Sequence, residues 1–277
     1  MDKFYLITNE IKDSDFRVTN QIKDYIEKSG NTCILAQKDG NGDIIKGTVP
    51  ANVDCAIVIG GDGTLIRAAR NMEGYEIPLI GLNLGTLGFL AEVELHEFQT
   101  ALDALFNGNP TIEKRMMMRG TVEGKMNEIA LNDVVVARDG NLRVIRYNVY
   151  VNGALLNSYV ADGVIISTPT GSTGYNLSAG GPVVEPTADM FVLTPICPHA
   201  LNGSSIVLSS KDTIEVEVCE SRYGEKEKAI VSFDGAENFE IFSGERIVIR
   251  KAEEVTRLVK LSKQSFMHIM SNKMKGI

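Results

Sequence analysis

Five consecutive residues, Gly60-Gly61-Asp62-Gly63-Thr64, combine three glycines with one carboxylate. Glycine permits backbone conformations closed to other residues and lets a ligand come against bare backbone. A helical pattern follows in Leu65-Ile66-Arg67-Ala68-Ala69-Arg70. Thr64, or the turn just before it, would cap that helix and leave N–H groups facing outward, a natural seat for phosphate. Asp62 would stand at the carboxyl end of a strand, where open α/β sheets keep their ligands. The plain alternative is a tight βα turn with a capping aspartate.

Three further stretches have residue types suited to a site. Gly81 to Phe89 is a second glycine-rich loop, expected beside the first, with Phe89 and Leu90 as an apolar wall for a flat ring. Asn132-Asp133 places a donor and acceptors for sugar hydroxyls among apolar strand residues. In Asp162 to Pro182 a strand breaks into hydroxyls and glycines, Ser167-Thr168-Pro169-Thr170-Gly171-Ser172-Thr173-Gly174-Tyr175. Such a loop offers N–H and O–H donors to phosphate or ribose. The competing readings are, in order, a core phenylalanine, an Asx turn and a flexible Ser/Gly connection. His199, in the proline-framed Thr194 to Asn202, is the histidine best placed for a site role, whereas His96 is expected on a helix surface.

Several chemistries are excluded. There is no G-x-x-x-x-G-K-[ST] phosphate loop and no G-x-G-x-x-G opening a helix after the first strand. No G-x-S-x-G elbow is present. The three histidines have no metal-ligand spacing.

The elements that must position these residues follow from periodicity. Lys3 to Thr8, Thr32 to Ala36, Cys55 to Ile59 and Pro78 to Asn83 read as strands. Asp13-Ser14 caps a helix with apolar positions Phe16, Val18, Ile22, Tyr25 and Ile26, ended by Gly30. A further helix runs from His96 to Asn107, with Gly108 as its stop. Lys38 to Asn52 is polar and reads as a loop, a connection rather than a lid. This is the pattern of an α/β domain with a doubly wound, mostly parallel sheet over 1–110. After Pro110 the chain turns to strands with two-residue hairpin signals at Asp139-Gly140 and Asn152-Gly153. Residues 111–254 therefore read as an all-β antiparallel domain. The tail 255–277, with weak helical spacing at Phe266, Ile269 and Met270, is expected to return to the first domain.

With 277 residues, 44% hydrophobic and 23% charged, the chain can bury two cores. A net charge of −8 leaves no electrostatic footprint for nucleic acid or an anionic membrane. No window is long and apolar enough to span a bilayer. Met1 to Thr8 turns polar too soon for a signal peptide. The four cysteines are widely spaced, which fits free thiols in a reducing, cytoplasmic setting.

Taken in order across residues 54–202, these stretches resemble the NAD kinase family. The likeness rests on Gly60 to Thr64, Gly85-Thr86-Leu87-Gly88-Phe89, Asn132-Asp133, Asp162-Gly163, Ser167 to Tyr175 and Leu193 to His199. The long Ser-Thr-Pro-Thr-Gly-Ser-Thr run narrows the match, since lipid kinases and phosphofructokinases carry related glycine-aspartate turns. The resemblance implies phosphoryl transfer from ATP or polyphosphate to the 2′-hydroxyl of the adenosine ribose of NAD, giving NADP. It also implies a divalent metal ion such as magnesium, and a homotetramer with sites completed across subunits. On that pattern Asp62 acts on the accepting hydroxyl, and Gly61, Gly63 and Thr64 form the phosphate turn. Asn132 and Asp133 hold ribose hydroxyls. Thr173, Tyr175 and Ser178 line the adenine and ribose pocket with Phe89, and Asp162, offered by a neighbouring subunit, meets the nicotinamide end. Gly174 departs from the alanine usual before the tyrosine, which is expected to loosen the loop. Asp133 stands where many members have glutamate. Two other readings of the glycine-aspartate turn are a lipid kinase and a non-catalytic dinucleotide sensor. The first would want a greasy cleft and a membrane face, and the second would not need Asp62.

Overall fold

The computed structural model describes residues 1–85, 88–108, 110–140, 143–199, 203–221, 223–261 and 266–275. The chain divides into two units, Met1–Lys114 with Thr256–Ile277, and Arg115–Val255. In the first, short β-branched runs become β1 (Lys3–Thr8), β2 (Thr32–Leu35), β3 (Cys55–Gly60), β4 (Leu79–Asn83) and the two-residue β5 (Val93–Glu94). The helices between them are α1 (Arg17–Lys28), α2 (Asp62–Asn71) and α3 (Phe98–Asn107). The strands pair in parallel in the order β2-β1-β3-β4. All six residues of β3 are buried, as its unbroken apolar run requires of a strand covered on both faces.

Alternation along the strands decides which helix lies on which face. Phe4, Leu6, Cys55, Ile57, Ile59, Ile80 and Leu82 share a core with Val18, Ile22 and Ile26 of α1 and Phe98, Leu102 and Leu105 of α3. The opposite face meets α2. There a Cβ on Gly81 would lie 3.4 Å from Leu65 and only 2.7 Å from the Ala91 Cα. Only glycine at 81 lets the segment after β4 fold back this closely.

The start of α1 is held by Asp13. Its buried carboxylate accepts the Val18 and Thr19 N–H groups at 3.1 and 2.8 Å and the Thr19 hydroxyl at 2.6 Å. The expected free connection from Lys38 to Asn52 is instead pinned to α2. Asp43 accepts Arg67 Nε at 2.7 Å and Asn71 Nδ2 at 3.0 Å, and Ile44 and Val49 are buried.

The second unit is a sandwich built from β6 (Thr111–Val122), β7 (Met126–Ala130), β8 (Asp133–Arg138), β9 (Ile145–Val151), β10 (Ala154–Ala161) and β11 (Gly163–Ser167). It continues through one-turn helix α4 (Tyr175–Ser178), β12 (Met190–Ile196), β13 (Ile206–Ser209), β14 (Ile214–Val218), β15 (Lys228–Phe233) and β16 (Glu237–Phe242). Strand β17 (Arg246–Lys260) and helix α5 (Phe266–Met274) end the chain. One antiparallel sheet runs β13-β12-β11-β8-β15-β16, and β10, β9, β14 and β17 pair in the other. Their inner faces share one apolar core, including Val134, Val136, Tyr147, Val149, Phe191, Val216, Phe233 and Ile247.

Asn152-Gly153 makes the expected tight hairpin, with φ of 52° and 81°. Asp139-Gly140 does not. Strand β8 pairs with β11 and β15, and β9 pairs with β10 and β14, so that dipeptide joins strands of different sheets. A local turn signal says nothing of which strands pair across it. All four cysteines are free thiols, and burial pushes Cys33 and Cys55 up to about 12. No helix among the described residues is long and apolar enough to cross a membrane.

Replacing Asp13 with alanine leaves three donors at the start of α1 without their acceptor. We expect a loss of about 2 kcal/mol in unfolding free energy, measured by urea titration followed by circular dichroism.

Candidate active site

In the first unit the chemistry gathers at the carboxyl ends of β3 and β4. Gly61 precedes α2 in extended backbone, and Asp62 already belongs to the first helical turn. Of the two alternatives the spacing allowed, the turn just before Thr64 caps the helix, with Gly61 as the N-cap and Thr64 inside the first turn. Its hydroxyl accepts Asn9 Nδ2 at 2.9 Å and the Gly61 N–H at 3.5 Å. It packs so closely on Gly60 that any Cβ there would be 2.4 Å from the Thr64 hydroxyl oxygen. A Cβ on Gly63 would meet nothing within 4 Å, so the first turn of α2 is open on that side.

Asp62 reaches across to the segment after β4. Its Oδ2 accepts the Phe89 N–H at 2.6 Å, and its Oδ1 accepts those of Leu90 and Ala91 at 3.2 and 2.9 Å. Gly88 makes this possible, since a Cβ there would lie 1.9 Å from the carboxylate. The two glycine loops thus meet on adjacent parallel strands, as expected. Thr86 and Leu87 of the second loop lie outside the described residues.

Phe89 is half-buried. Its ring lies 6.5 Å from that of Phe266 in α5, and Lys273 sits 4.6 Å from its centroid. Phe89 also lines a cavity of about 470 Å³ with Gly88, Ala91, Glu94 and Lys260.

Lys12 is a site candidate that the sequence reading missed. Its Nζ lies 3.3 Å from where a Cβ of Gly61 would be and 3.7 Å from where one of Gly85 would be. The turn that carries it is fixed by Asn9, whose side-chain oxygen accepts the Ile11 and Lys12 N–H groups. Nothing in the pattern around a lone lysine after β1 distinguishes it.

In the second unit, Leu131 and Asn132 form the corner where the chain leaves β7 in one sheet and enters β8 in the other. A corner frees backbone groups that no ladder can use. Thr168 takes both carbonyls, through its hydroxyl to Leu131 at 2.5 Å and its N–H to Asn132 at 2.8 Å. Asp234 takes the N–H groups. Its Oδ2 accepts Leu131 at 2.9 Å, and its Oδ1 accepts Asn132 and Asp133 at 2.7 and 3.1 Å. The Asn132 side-chain oxygen is buried with no partner, the state of a group awaiting a donor. Asp133 is buried. Burial first, and the Asp234 charge second, raise its carboxyl to about 7.

The hydroxyl-rich loop closes over this corner. A Cβ on Gly171 would stand 2.1 Å from the Asn132 carbonyl, and one on Gly174 would be 3.6 Å from Asn132 Nδ2 and 4.0 Å from Asp133 Oδ2. Gly174 thus borders both side chains. Thr173 is half-buried beside it, and Tyr175 and Ser178 are exposed on the one-turn helix. The loop hangs on Asn176, which is fully buried. Asn176 donates to the Ser172 and Pro182 carbonyls at 3.0 and 2.9 Å and accepts the Thr194 hydroxyl at 2.7 Å.

Asp162 and His199 are not brought to this corner. Asp133 pairs with Ser167 at one end of the β8–β11 ladder, whereas Asp162 meets Arg138 Nε at 2.7 Å beyond the other end. Five residues of strand separate them, roughly 16 Å. His199 belongs to the Asp162 end, where its N–H bonds the Val160 carbonyl at 2.8 Å. It lines a cavity of about 290 Å³ there with Arg143, Arg146 and Glu227. Ala200 to Asn202 of the proline-framed loop lie outside the described residues. Among the described residues no three His, Cys, Asp or Glu side chains converge to hold an ion, so they form no cage for the implied divalent metal.

Comparison with known proteins accounts for both units. Residues 4–109 match the ATP-NAD kinase N-terminal domain and residues 131–261 the ATP-NAD kinase C-terminal domain. The chain is therefore a two-domain phosphotransferase. It belongs to the NAD kinase family, and its activity is the phosphorylation of NAD. It is similar to the NAD kinase of Lachnoclostridium phytofermentans, 44% identical over 282 residues that cover 99% of each chain. It is likewise similar to that of Agathobacter rectalis, 46% identical over 281 residues with the same coverage. Among solved structures it superposes on an NAD kinase from Archaeoglobus fulgidus in complex with ATP, with TM-score 0.80, 25% identity and 99% of each chain covered. The fold also matches yeast NADH kinase complexed with NADH, with TM-score 0.89 and 20% identity over 100% of this chain and 88% of that one. The lipid-kinase reading is set aside by this match.

Two outcomes test this geometry. Asn176→Ala strands two carbonyls and a hydroxyl in a buried place. It should cost about 2–4 kcal/mol, read by thermal unfolding. Asp133 holds a proton in the folded chain that the unfolded chain releases near pH 4. Its contribution to stability is full below that pH and is lost as pH rises through about 7. Asp133→Asn stays neutral, so its melting temperature should gain on that of the parent from about pH 4 to pH 8, followed by calorimetry.

Proposed function

We propose that the chain transfers a phosphoryl group from ATP or polyphosphate to the 2′-hydroxyl of the adenosine ribose of NAD, with Asp62 as the base. A ribose hydroxyl is a weak nucleophile, and a carboxylate within hydrogen-bond reach can accept its proton as the bond to phosphorus forms. The observation that carries this reading is how Asp62 is held. A carboxylate offers about four acceptor positions, and three are filled by N–H groups, one on Oδ2 and two on Oδ1. The remaining position, on Oδ2, is left for one hydroxyl.

On this reading the donor phosphates meet the open first turn of α2 at Gly61 and Gly63, and Lys12 supplies positive charge beside them. A magnesium ion brought with the donor would offset the phosphate charge beside Gly61, Gly63 and Lys12. Asn132 and Asp133 bind the acceptor ribose, with Thr173, Tyr175, Ser178 and Phe89 about its adenosine. Asp162 and His199 serve the nicotinamide end of a site completed by a neighbouring subunit of a homotetramer. The strand's length between Asp162 and Asp133 supports that division, since one chain's corner lies too far from its own Asp162 to share a ligand group with it. The setting is cytoplasmic, consistent with four free thiols.

Asp62→Asn tests the role. NADP formation should fall by about 10²–10⁴ in kcat while NAD still binds, measured by a coupled NADP assay and by calorimetric titration of NAD. Turnover near the parent rate with NAD binding intact would overturn the assignment.

A further inference from the structure

We propose that Asp234, which no motif in the sequence marks, is the positioning residue of the acceptor site, fixing the Asn132–Asp133 corner through its backbone. The proposal rests on the reading that this corner binds the ribose of NAD.

Asp234 sits where β15 turns into β16, with φ of 51°, and Gly235 follows with φ of 69°. Left-handed backbone is costly for most residues and is tolerated best by glycine and asparagine, less by aspartate. Asparagine would suit the turn at least as well but could not do the same work. Both carboxylate oxygens accept, Oδ2 from Leu131 and Oδ1 from Asn132 and Asp133. An amide nitrogen in place of Oδ2 would turn a donor toward the Leu131 N–H. The Asp234 N–H in turn donates to the Asp133 carbonyl at 3.0 Å, so the two turns are laced in both directions.

The arrangement has an electrostatic consequence. An ionised Asp234 stands beside buried Asp133 and disfavours a second negative charge there. The residues that face Asp133 from β11 and from the hydroxyl-rich loop, Ser167 and Gly174, carry no charge, which leaves Asp234 as the charged neighbour acting on it. Burial first, and this neighbour second, keep a proton on Asp133 toward neutrality, so that it can donate an O–H to a ribose oxygen. The unpartnered oxygen of Asn132 beside it accepts a ribose hydroxyl. Asp234 thus fixes the backbone that carries both side chains and adds to the burial that keeps one of them protonated.

The test uses the full-length enzyme and two variants, Asp234→Asn and Asp234→Ala. The Asp133 carboxyl is titrated by carbon-13 NMR without substrate, and KM for NAD and kcat are measured across pH. We expect the Asp133 midpoint to fall below the parent's value of about 7 in Asp234→Asn. We also expect KM for NAD to rise about tenfold with a smaller change in kcat. Asp234→Ala should show the larger KM effect. Should it fail to fold, Asp234→Asn carries both readouts. An unmoved Asp133 midpoint in a folded Asp234→Asn enzyme overturns the proposal, as does a KM at the parent value in both variants. Asn132→Ala separates this from failure of the acceptor reading. If that change also leaves KM for NAD unaltered, the corner does not bind the acceptor, whereas the Asp133 titration judges Asp234 independently.

Discussion

One carboxylate joins the two glycine loops of the first unit. Asp62 accepts N–H groups from three successive residues, Phe89, Leu90 and Ala91, across from its own helix turn. That contact dictates much around it. Gly88 must lack a side chain because the carboxylate occupies its space, and Gly81 must lack one because Ala91 is drawn back over β4. Charge-assisted bonds of this kind are about twice as strong as neutral ones and fix both oxygens. The carboxylate is thereby held in one orientation at the carboxyl ends of β3 and β4.

The second unit solves a related problem with different parts. A chain that crosses between the sheets of a sandwich leaves a corner with unpaired backbone groups, and buried ones must find partners. Here Thr168 and Asp234 supply them from two other turns. With the backbone groups met by these partners, the Asn132 side-chain oxygen is not spent on holding the corner. The same economy explains Asn176, which ties the hydroxyl-rich loop to β12 while Thr173 stays half-buried and Tyr175 exposed.

Much of the site was legible in the sequence because its parts are local. Gly60 to Thr64 must be a strand, a turn and a helix start, and no partner elsewhere is needed to see it. The break at Asn132-Asp133 stood out as polarity inside an apolar run, although its form as a corner between sheets was not legible. Asp139-Gly140 misled for the same reason, since turn chemistry fixes a bend and not a pairing. Lys38 to Asn52 looked like an idle connection because its anchors, Arg67 and Asn71, lie on a helix some 24 and 28 residues further along.

By itself the sequence determined the parallel α/β layer, the antiparallel sandwich, the glycine-aspartate turn and the family they belong to. These follow from periodicity, glycine placement and short contiguous motifs, which act over one or two turns of chain. Tertiary structure alone decided that Gly88 makes room for Asp62, that Lys12 lies over the glycine turn, and that Asp234 holds a corner about a hundred residues before it. It also decided that Asp162 and His199 lie at the opposite end of the ladder from Asp133. Each depends on which strands pair and in what register, and a single residue's type carries no record of its neighbours in space.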